Sequence, residues 1–145
     1  MKSQIIIASD HAGYELKKQL IDYFSGKGID FLDLGTDSAD AVDYPEYGHK
    51  LGKLIGEGTY STGISICGSG NGINMTTNKH QGVRGAICWN EEISSLARKH
   101  NDANICSLPA RFIDFDQAVR ILDIFLNTAF EGGRHERRIH KIDID

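Results

Sequence analysis

The sequence contains little of what marks a secreted, membrane-spanning or disulfide-stabilised protein. Its 145 residues include two prolines and three cysteines, and its longest apolar runs, such as residues 5–8, have only the length of a strand. A membrane span requires about 20 apolar residues. No apolar signal segment precedes the polar pair Asp10 and His11. We therefore expect a cytoplasmic protein that has no membrane partner.

The cysteines argue against disulfides, because their number is odd and no two of them have C-x-x-C spacing. Free thiols fit the sequence better. Cys88 and Cys106 lie in apolar segments and are interpreted as small core residues. Cys67 is followed by a glycine-rich segment, and we interpret it as a functional thiol. A redox protein is disfavoured, since no second cysteine lies near Cys67 in the sequence.

The chain has no basic excess, since its formal net charge is −4. A general nucleic-acid surface needs such an excess, so we expect no nucleic-acid partner. The exception is the basic segment 134–141, which is either a solvated helix face or a site for a small anion. Arg134 and Arg138 lie four residues apart, so on a helix their guanidinium groups can converge on one phosphate.

Strand-like and helix-like segments alternate along the chain, which is typical of a parallel sheet covered by helices. The predicted strands are 3–9, 29–34, 63–67, 83–88 and 104–108. The predicted helices are 13–24, 45–55, 91–100 and 114–128, and a basic helix follows Gly132 and Gly133. We predict one α/β domain over residues 1–145, Rossmann-like, with three α/β/α layers and a five-stranded parallel sheet. The C-terminal helix is expected to pack on a partner subunit.

The segment Cys67-Gly68-Ser69-Gly70-Asn71-Gly72 follows a predicted strand and places a thiol beside a flexible loop. Its alternating glycines allow left-handed backbone, which can turn successive N–H groups toward a phosphate or an enolate oxygen. Asp10 and His11 also follow a strand, so they are predicted at the same edge of the sheet. Asp10 could equally cap a helix, and His11 could be an ordinary loop residue.

The motifs of the common cofactor sites are missing. The loop lacks G-x-G-x-x-G spacing and a following Gly-Lys-Ser/Thr, so NAD and nucleoside triphosphates are disfavoured. The six histidines show no spacing typical of metal ligands, and we predict no metal. A smaller phosphorylated or oxyanionic ligand remains.

Six motifs, taken in order, closely resemble ribose-5-phosphate isomerase type B, whose family also contains the galactose-6-phosphate isomerase subunits. They are residues 9–13, 43–45, 66–72, 78–79, 100–104 and 132–138. The resemblance covers essentially the whole chain. It implies a Rossmann-like homodimer, often paired into a tetramer, with no cofactor and an active site shared between two subunits. It also implies interconversion of ribose 5-phosphate and ribulose 5-phosphate in the pentose phosphate pathway.

The resemblance assigns catalytic roles to four residues. Cys67 is the base that carries a proton between C2 and C1, and Ser69 relays or donates a hydrogen bond. His100 donates a proton to the ring oxygen, and Asp10 assists at the anomeric hydroxyl. Taken alone, His100 could simply end a helix. Some relatives have a glutamate base where this chain has Ile73, so this chain resembles the cysteine group.

The resemblance also implies the residues that contact the sugar phosphate. They are Asp10, His11, Tyr44, Gly68, Ser69, Gly70, Asn71, Gly72, Asn101, Arg111, Arg134 and Arg138. Within this set the loop amides stabilise the enediolate oxygen. The resemblance further implies that His11, Arg134 and Arg138 hold the phosphate, with Arg111 as a further contributor and some of them from the neighbouring subunit. Arg137 should matter less.

Two alternatives remain open at this level. A six-carbon substrate, allose 6-phosphate or galactose 6-phosphate, would use the same chemistry in a longer pocket. A non-catalytic module that binds a sugar phosphate would keep the binding residues without turnover.

Overall fold

The computed structural model describes residues 5–144, which form a five-stranded sheet in the order β2-β1-β3-β5-β4. All neighbouring strands are parallel, which confirms the predicted α/β architecture. The strands are β1 Ile5–Ser9, β2 Leu32–Asp33, β3 Thr62–Cys67, β4 Gly85–Ile87 and β5 Ile105–Pro109. The predicted start of the first strand at Ser3 lies outside the described residues.

Six α-helices connect and cover the strands. They are α1 Tyr14–Ser25, α2 Tyr44–Gly56, α3 Asn71–Thr77, α4 Glu91–Asn101, α5 Phe115–Asn127 and α6 Arg134–Ile139. Two of them are capped by the residue that precedes the helix, Asn90 before α4 and Asp114 before α5. The side chain of each capping residue accepts a hydrogen bond from a backbone N–H in the first turn. None of the described helices combines the length and the apolar character of a membrane span.

The helices form one layer on each face of the sheet. On one face α1, α4 and α5 bury Phe24, Ala97 and Leu122 against sheet residues such as Ile64. On the other face α2 buries Leu51 against the sheet and packs on α3. Each fully buried leucine or phenylalanine side chain among them contributes about 1.5–3 kcal/mol. The result is the predicted three-layer arrangement.

Two strands are shorter than the sequence predicted, because hydrogen bonds outside the ladder occupy the backbone before each of them. The N–H of Ile29 donates to Phe24 O and closes α1, so β2 begins only at Leu32. Before β4, the N–H of Val83 donates to His80 O and that of Arg84 to Asn104 Oδ1. These residues therefore belong to the turn and not to the strand.

The order of the strands decides which chain segments meet. Ser9 pairs with Ile66, and Cys67 pairs with Pro109, so the carboxyl ends of β1, β3 and β5 lie side by side. Loops that follow these strands share one edge of the sheet, where open α/β sheets bind their ligands.

Candidate active site

Cys67 is the last residue of β3 and lies at the carboxyl edge of the sheet. Side chains alternate along a strand, so Cys67 is on the same face as Ser65, toward α2 and α3. Its exposure is 5%, and its carbonyl accepts a hydrogen bond from Ala110 N–H at 2.9 Å. The thiol is thus buried beneath the carboxyl edge of the sheet and does not lie on the open surface.

The glycine-rich loop turns directly from Cys67 into α3, and each glycine in it has a separate reason. Gly70 has φ +78° and precedes the first residue of α3, so it occupies the left-handed region that favours glycine. Gly68 and Gly72 are instead places of close approach. A Cβ at Gly68 would lie 3.2 Å from an Arg111 guanidinium nitrogen, and one at Gly72 would lie 2.5 Å from the Tyr44 ring.

Tyr44 and Arg111 therefore flank the loop on two sides. Tyr44 begins α2 and is 40% exposed, and Arg111 follows β5 and is exposed. The Arg111 N–H donates to Gly68 O at 3.0 Å, which fixes the backbone from which its side chain extends. Within the loop, Ser69 Oγ accepts from Asn71 N–H at 3.2 Å. A cationic group and a phenol hydroxyl can thus reach a ligand on the loop.

Asp10 and His11 lie at this same edge, as predicted. Asp10 is 6% exposed, and its N–H donates to Ile66 O beside Cys67. Its Oδ1 accepts a hydrogen bond from Gly13 N–H at 3.1 Å, so Asp10 has the capping role that the sequence allowed. His11 Nδ1 lies 3.1 Å from Val42 N and 3.2 Å from Val42 O, so the backbone of Val42 holds the ring in place.

Buried polar residues that the sequence analysis missed anchor the loop to the sheet. Ser65 Oγ and Ser107 Oγ, on adjacent strands, are 2.6 Å apart, and Ser107 donates to Asn74 Oδ1 in α3 at 2.9 Å. Asn78, which ends α3, exchanges two hydrogen bonds with the backbone of Gly85. The sequence carried a signal, since both serines interrupt apolar strands.

The other predicted residues lie elsewhere, in what we call the amino-edge cluster: His100, Asn101, Arg134 and Arg138. His100 and Asn101 end α4, just before β5 begins at Ile105. The helix α6 packs on α4 and carries both arginines, whose side chains are exposed. The ring of His135, another residue that the sequence analysis missed, stacks on that of His100 with 4.3 Å between centroids.

The electrostatics of this cluster are dominated by cations. Burial lowers the pKa of His135, and the positive charges of His100 and Arg134 lower it further, whereas Glu131 raises it. Glu131 Oε1 lies 3.6 Å from His135 Nε2 and 3.9 Å from His100 Nε2. An anion is therefore favoured beside α6, where the arginine side chains extend into solvent.

The structure does not bring the two groups of residues together within one chain. Cys67 is level with Pro109, whereas the amino-edge cluster adjoins Ile105. The five residues of β5 at about 3.3 Å each place the groups roughly 13 Å or more apart. A cavity of about 690 Å³ opens beside Asn101 and Arg84, and Cys67 is not among its lining residues. Direct proton transfer needs about 2.6–3.2 Å, so Cys67 and His100 of one chain cannot act on neighbouring atoms of one small ligand.

Comparison with known proteins gives consistent similarities. The pattern that describes the Ribose/Galactose Isomerase family matches residues 5–142. A ribose 5-phosphate isomerase from Thermotoga maritima is 48% identical, with TM-score 0.93 over 96% of each chain. Ribose-5-phosphate isomerase B from Mycoplasma genitalium, solved with bound ribulose-5-phosphate, is 41% identical, with TM-score 0.91 over 95% of this chain and 92% of that one. Ribose-5-phosphate isomerase B of Escherichia coli is 34% identical over 96% of this chain and 93% of its own.

Proposed function

Because this chain belongs to the ribose/galactose isomerase family, we propose that it interconverts ribose 5-phosphate and ribulose 5-phosphate. The observation that carries the proposal is the thiol of Cys67 beside the loop 68–72, at the edge where open α/β sheets bind ligands. The bound ribulose-5-phosphate of the Mycoplasma genitalium relative supports the choice of sugar. A cytoplasmic location stays a prediction.

The proton transfer is assigned to Cys67. As a thiolate it removes the proton from C2 of the open-chain aldose, and the C2–H electron pair becomes the C1–C2 double bond of a cis-enediolate. The negative charge moves to the oxygen on C1 and is stabilised by N–H groups of the loop 68–72. The Cys67 thiol then returns its proton to C1, and the O2 proton passes to O1. These two transfers leave the C2 ketone and the C1 hydroxyl of ribulose 5-phosphate and restore the thiolate.

Ring opening precedes this step and needs an acid and a base. We assign proton donation to the ring oxygen to His100, and acceptance of the anomeric proton to Asp10, with Tyr44 and Asn101 binding sugar hydroxyls. Ser69 donates to the substrate from the exposed side of the loop. Asp10 is supported by its place beside Ile66, next to Cys67.

These assignments require two subunits, since His100 and Asp10 lie at opposite edges of one sheet. We therefore propose a homodimer in which the carboxyl edge of one subunit faces the amino-edge cluster of the other. Packing of α6 against the partner would bring Arg134 and Arg138 to the phosphate, with His11 and Arg111 from the first subunit. Exposed apolar side chains at Met75, Trp89 and Phe112 support such burial.

The direct test is an assay of the purified protein with ribose 5-phosphate, in which we expect formation of the ketose. Allose 6-phosphate and galactose 6-phosphate are measured in parallel, and we expect a lower kcat/KM for both. A higher kcat/KM for either one would transfer the proposal to a six-carbon substrate. Binding of ribose 5-phosphate without turnover would instead identify a non-catalytic module.

The phosphate assignment predicts different effects for two neighbouring arginines on α6. Arg138→Ala should lower kcat/KM for ribose 5-phosphate about 10- to 100-fold, because a hydrogen bond to a charged group contributes roughly 1.5–3 kcal/mol. Both kcat and KM should change, since holding the phosphate also positions C2 against the base.

Arg137→Ala is the matched control, since Arg137 is equally exposed and lies on the same helix. We expect its kcat/KM to stay within about threefold of wild type, the range of an exposed charge that makes no specific contact. Competition by inorganic phosphate is measured in both variants. Equal losses in the two variants would contradict a specific phosphate site at Arg138.

A further inference from the structure

Three potential metal ligands from separate parts of the chain meet beside α6. The nitrogen or oxygen atoms that His100, Glu131 and His135 can offer all lie within 4.8 Å of one another. Glu131 is held in place by its N–H, which donates to Lys99 O at 3.1 Å. His100 and His135 are far apart in sequence, which is why spacing alone predicted no metal there.

The distances are close to those of a tetrahedral site. Ligands about 2.0–2.1 Å from a zinc ion lie roughly 3.3–3.4 Å from one another. Glu131 Oε1 is 3.6 Å from His135 Nε2 and 3.9 Å from His100 Nε2. The two Glu131 distances therefore exceed the tetrahedral value by about 0.2–0.6 Å, and the two histidine nitrogens lie within 4.8 Å of each other.

One movement is required, and the exposure of the side chains allows it. The two imidazole rings are stacked with an interplanar angle of 13°, so their lone pairs do not converge on one point. His135 is 9% exposed and fixed, whereas His100 is 40% and Glu131 52% exposed. Rotation of the half-exposed His100 ring out of this stack can aim its Nε2 at the cation.

The chemistry of the donors selects the metal. Two imidazoles and one carboxylate form a set typical of zinc, with a fourth position left for water. The oxygen-preferring cations Ca²⁺ and Mg²⁺ fit it poorly. The positive charges of Arg134 and Arg138 lower the pKa of His135, and for the same reason they oppose binding of a dication beside it. Glu131 is the group that offsets them.

We propose that His100, Glu131 and His135 bind Zn²⁺ within one subunit, and that the bound ion inhibits turnover by occupying His100 Nε2. The binding stands on the geometry of the three residues alone. The inhibition rests on the proposed function, because it requires His100 to be the acid that opens the sugar ring.

Binding is measured with untagged protein that carries Cys67→Ala, since a thiol would compete for the metal. Titration with Zn²⁺ against a chromogenic chelator, and with Co²⁺ by visible absorption, should give one site per chain. Glu131→Gln and His135→Gln in that background should each weaken binding at least about tenfold. Circular dichroism checks that each variant is folded.

His80→Gln is the matched control, because His80 Nε2 lies 2.8 Å from His49 Nδ1 in the competing histidine pair. This variant should keep the affinity of the parent. Binding that is absent, or that is lost with His80→Gln and kept with Glu131→Gln, would overturn the proposed site.

Inhibition is tested separately in chains that retain Cys67. Zn²⁺ at the concentration that fills the site should reduce the rate with ribose 5-phosphate at least about tenfold, and a chelator should restore it. In Glu131→Gln, the ratio of rates with and without Zn²⁺ should return toward one. Binding of one Zn²⁺ per chain without loss of rate would refute the proposed inhibition but not the proposed binding site. A chain without isomerase activity would refute the proposed function, and the titration would still decide the site.

Discussion

Replacing Cys67 by alanine is expected to lower kcat for ribose 5-phosphate about 10²- to 10⁴-fold, the range for loss of a general base. The reason is that no other described side chain at the end of β3 can take the C2 proton. Ser69 is already engaged by Asn71 N–H, and Ile73 stands where some relatives have a glutamate. KM should change little, because the phosphate contacts remain. Steady-state ketose formation measures both constants.

The matched control is Cys88→Ala, which removes a thiol that is fully buried in the core. We expect a lower Tm with kcat within about threefold of wild type, since Cys88 contributes core packing and a weak hydrogen bond from its Sγ to Ala86 O at 3.6 Å. Loss of solvent deuterium incorporation at the transferred position should accompany the Cys67 substitution alone. A Cys67→Ala enzyme with nearly normal kcat would refute the assignment of the base.

Mixing two inactive variants should restore activity, which is the second large effect. Cys67→Ala disables the carboxyl edge and His100→Ala the amino edge of the same sheet. A mixed dimer then contains one site with both groups intact and one with neither. Random reassembly gives half mixed dimers with one working site in two, so about a quarter of wild-type activity should return.

The control is a mixture of two variants whose substitutions lie at the same edge of the sheet. Cys67→Ala mixed with Asp10→Ala should stay inactive, because Asp10 and Cys67 belong to the same end of the sheet. Subunits are mixed after partial denaturation and refolded together, and the dimer is isolated before assay. Recovery in both mixtures, or in neither, would contradict a site divided between two opposite edges.

The sequence predicted the architecture because its periodic signals are local. Amphipathic spacing located α5 to within one residue at each end. The boundaries of β2 and β4 were wrong because turns closed by Ile29 and Arg84 compete with the ladder. Such competition depends on which distant carbonyl or side chain is in reach, and a linear pattern does not contain that information.

The candidate site divides in the same way. The carboxyl-edge residues follow strands, so parallel topology alone predicts that Asp10 and Cys67 meet. The separation of Cys67 from His100 follows from the same topology, since α4 stops just before β5 and its end therefore lies at the amino edge of the sheet. The stacking of His135 on His100 depends on how α6 docks, and short polar helices carry little periodic signal.

The polar link from Ser65 through Ser107 to Asn74 bears on how the loop 68–72 can vary. A helix of seven residues such as α3 is too short to persist by itself. Its orientation is therefore set by two central strands through the hydroxyl groups of Ser65 and Ser107 and the amide of Asn74. Because these contacts lie outside the loop, we expect substitutions at Ser69 or Asn71 to leave the direction of α3 unchanged, so side chains at this edge can be replaced without redesigning the scaffold.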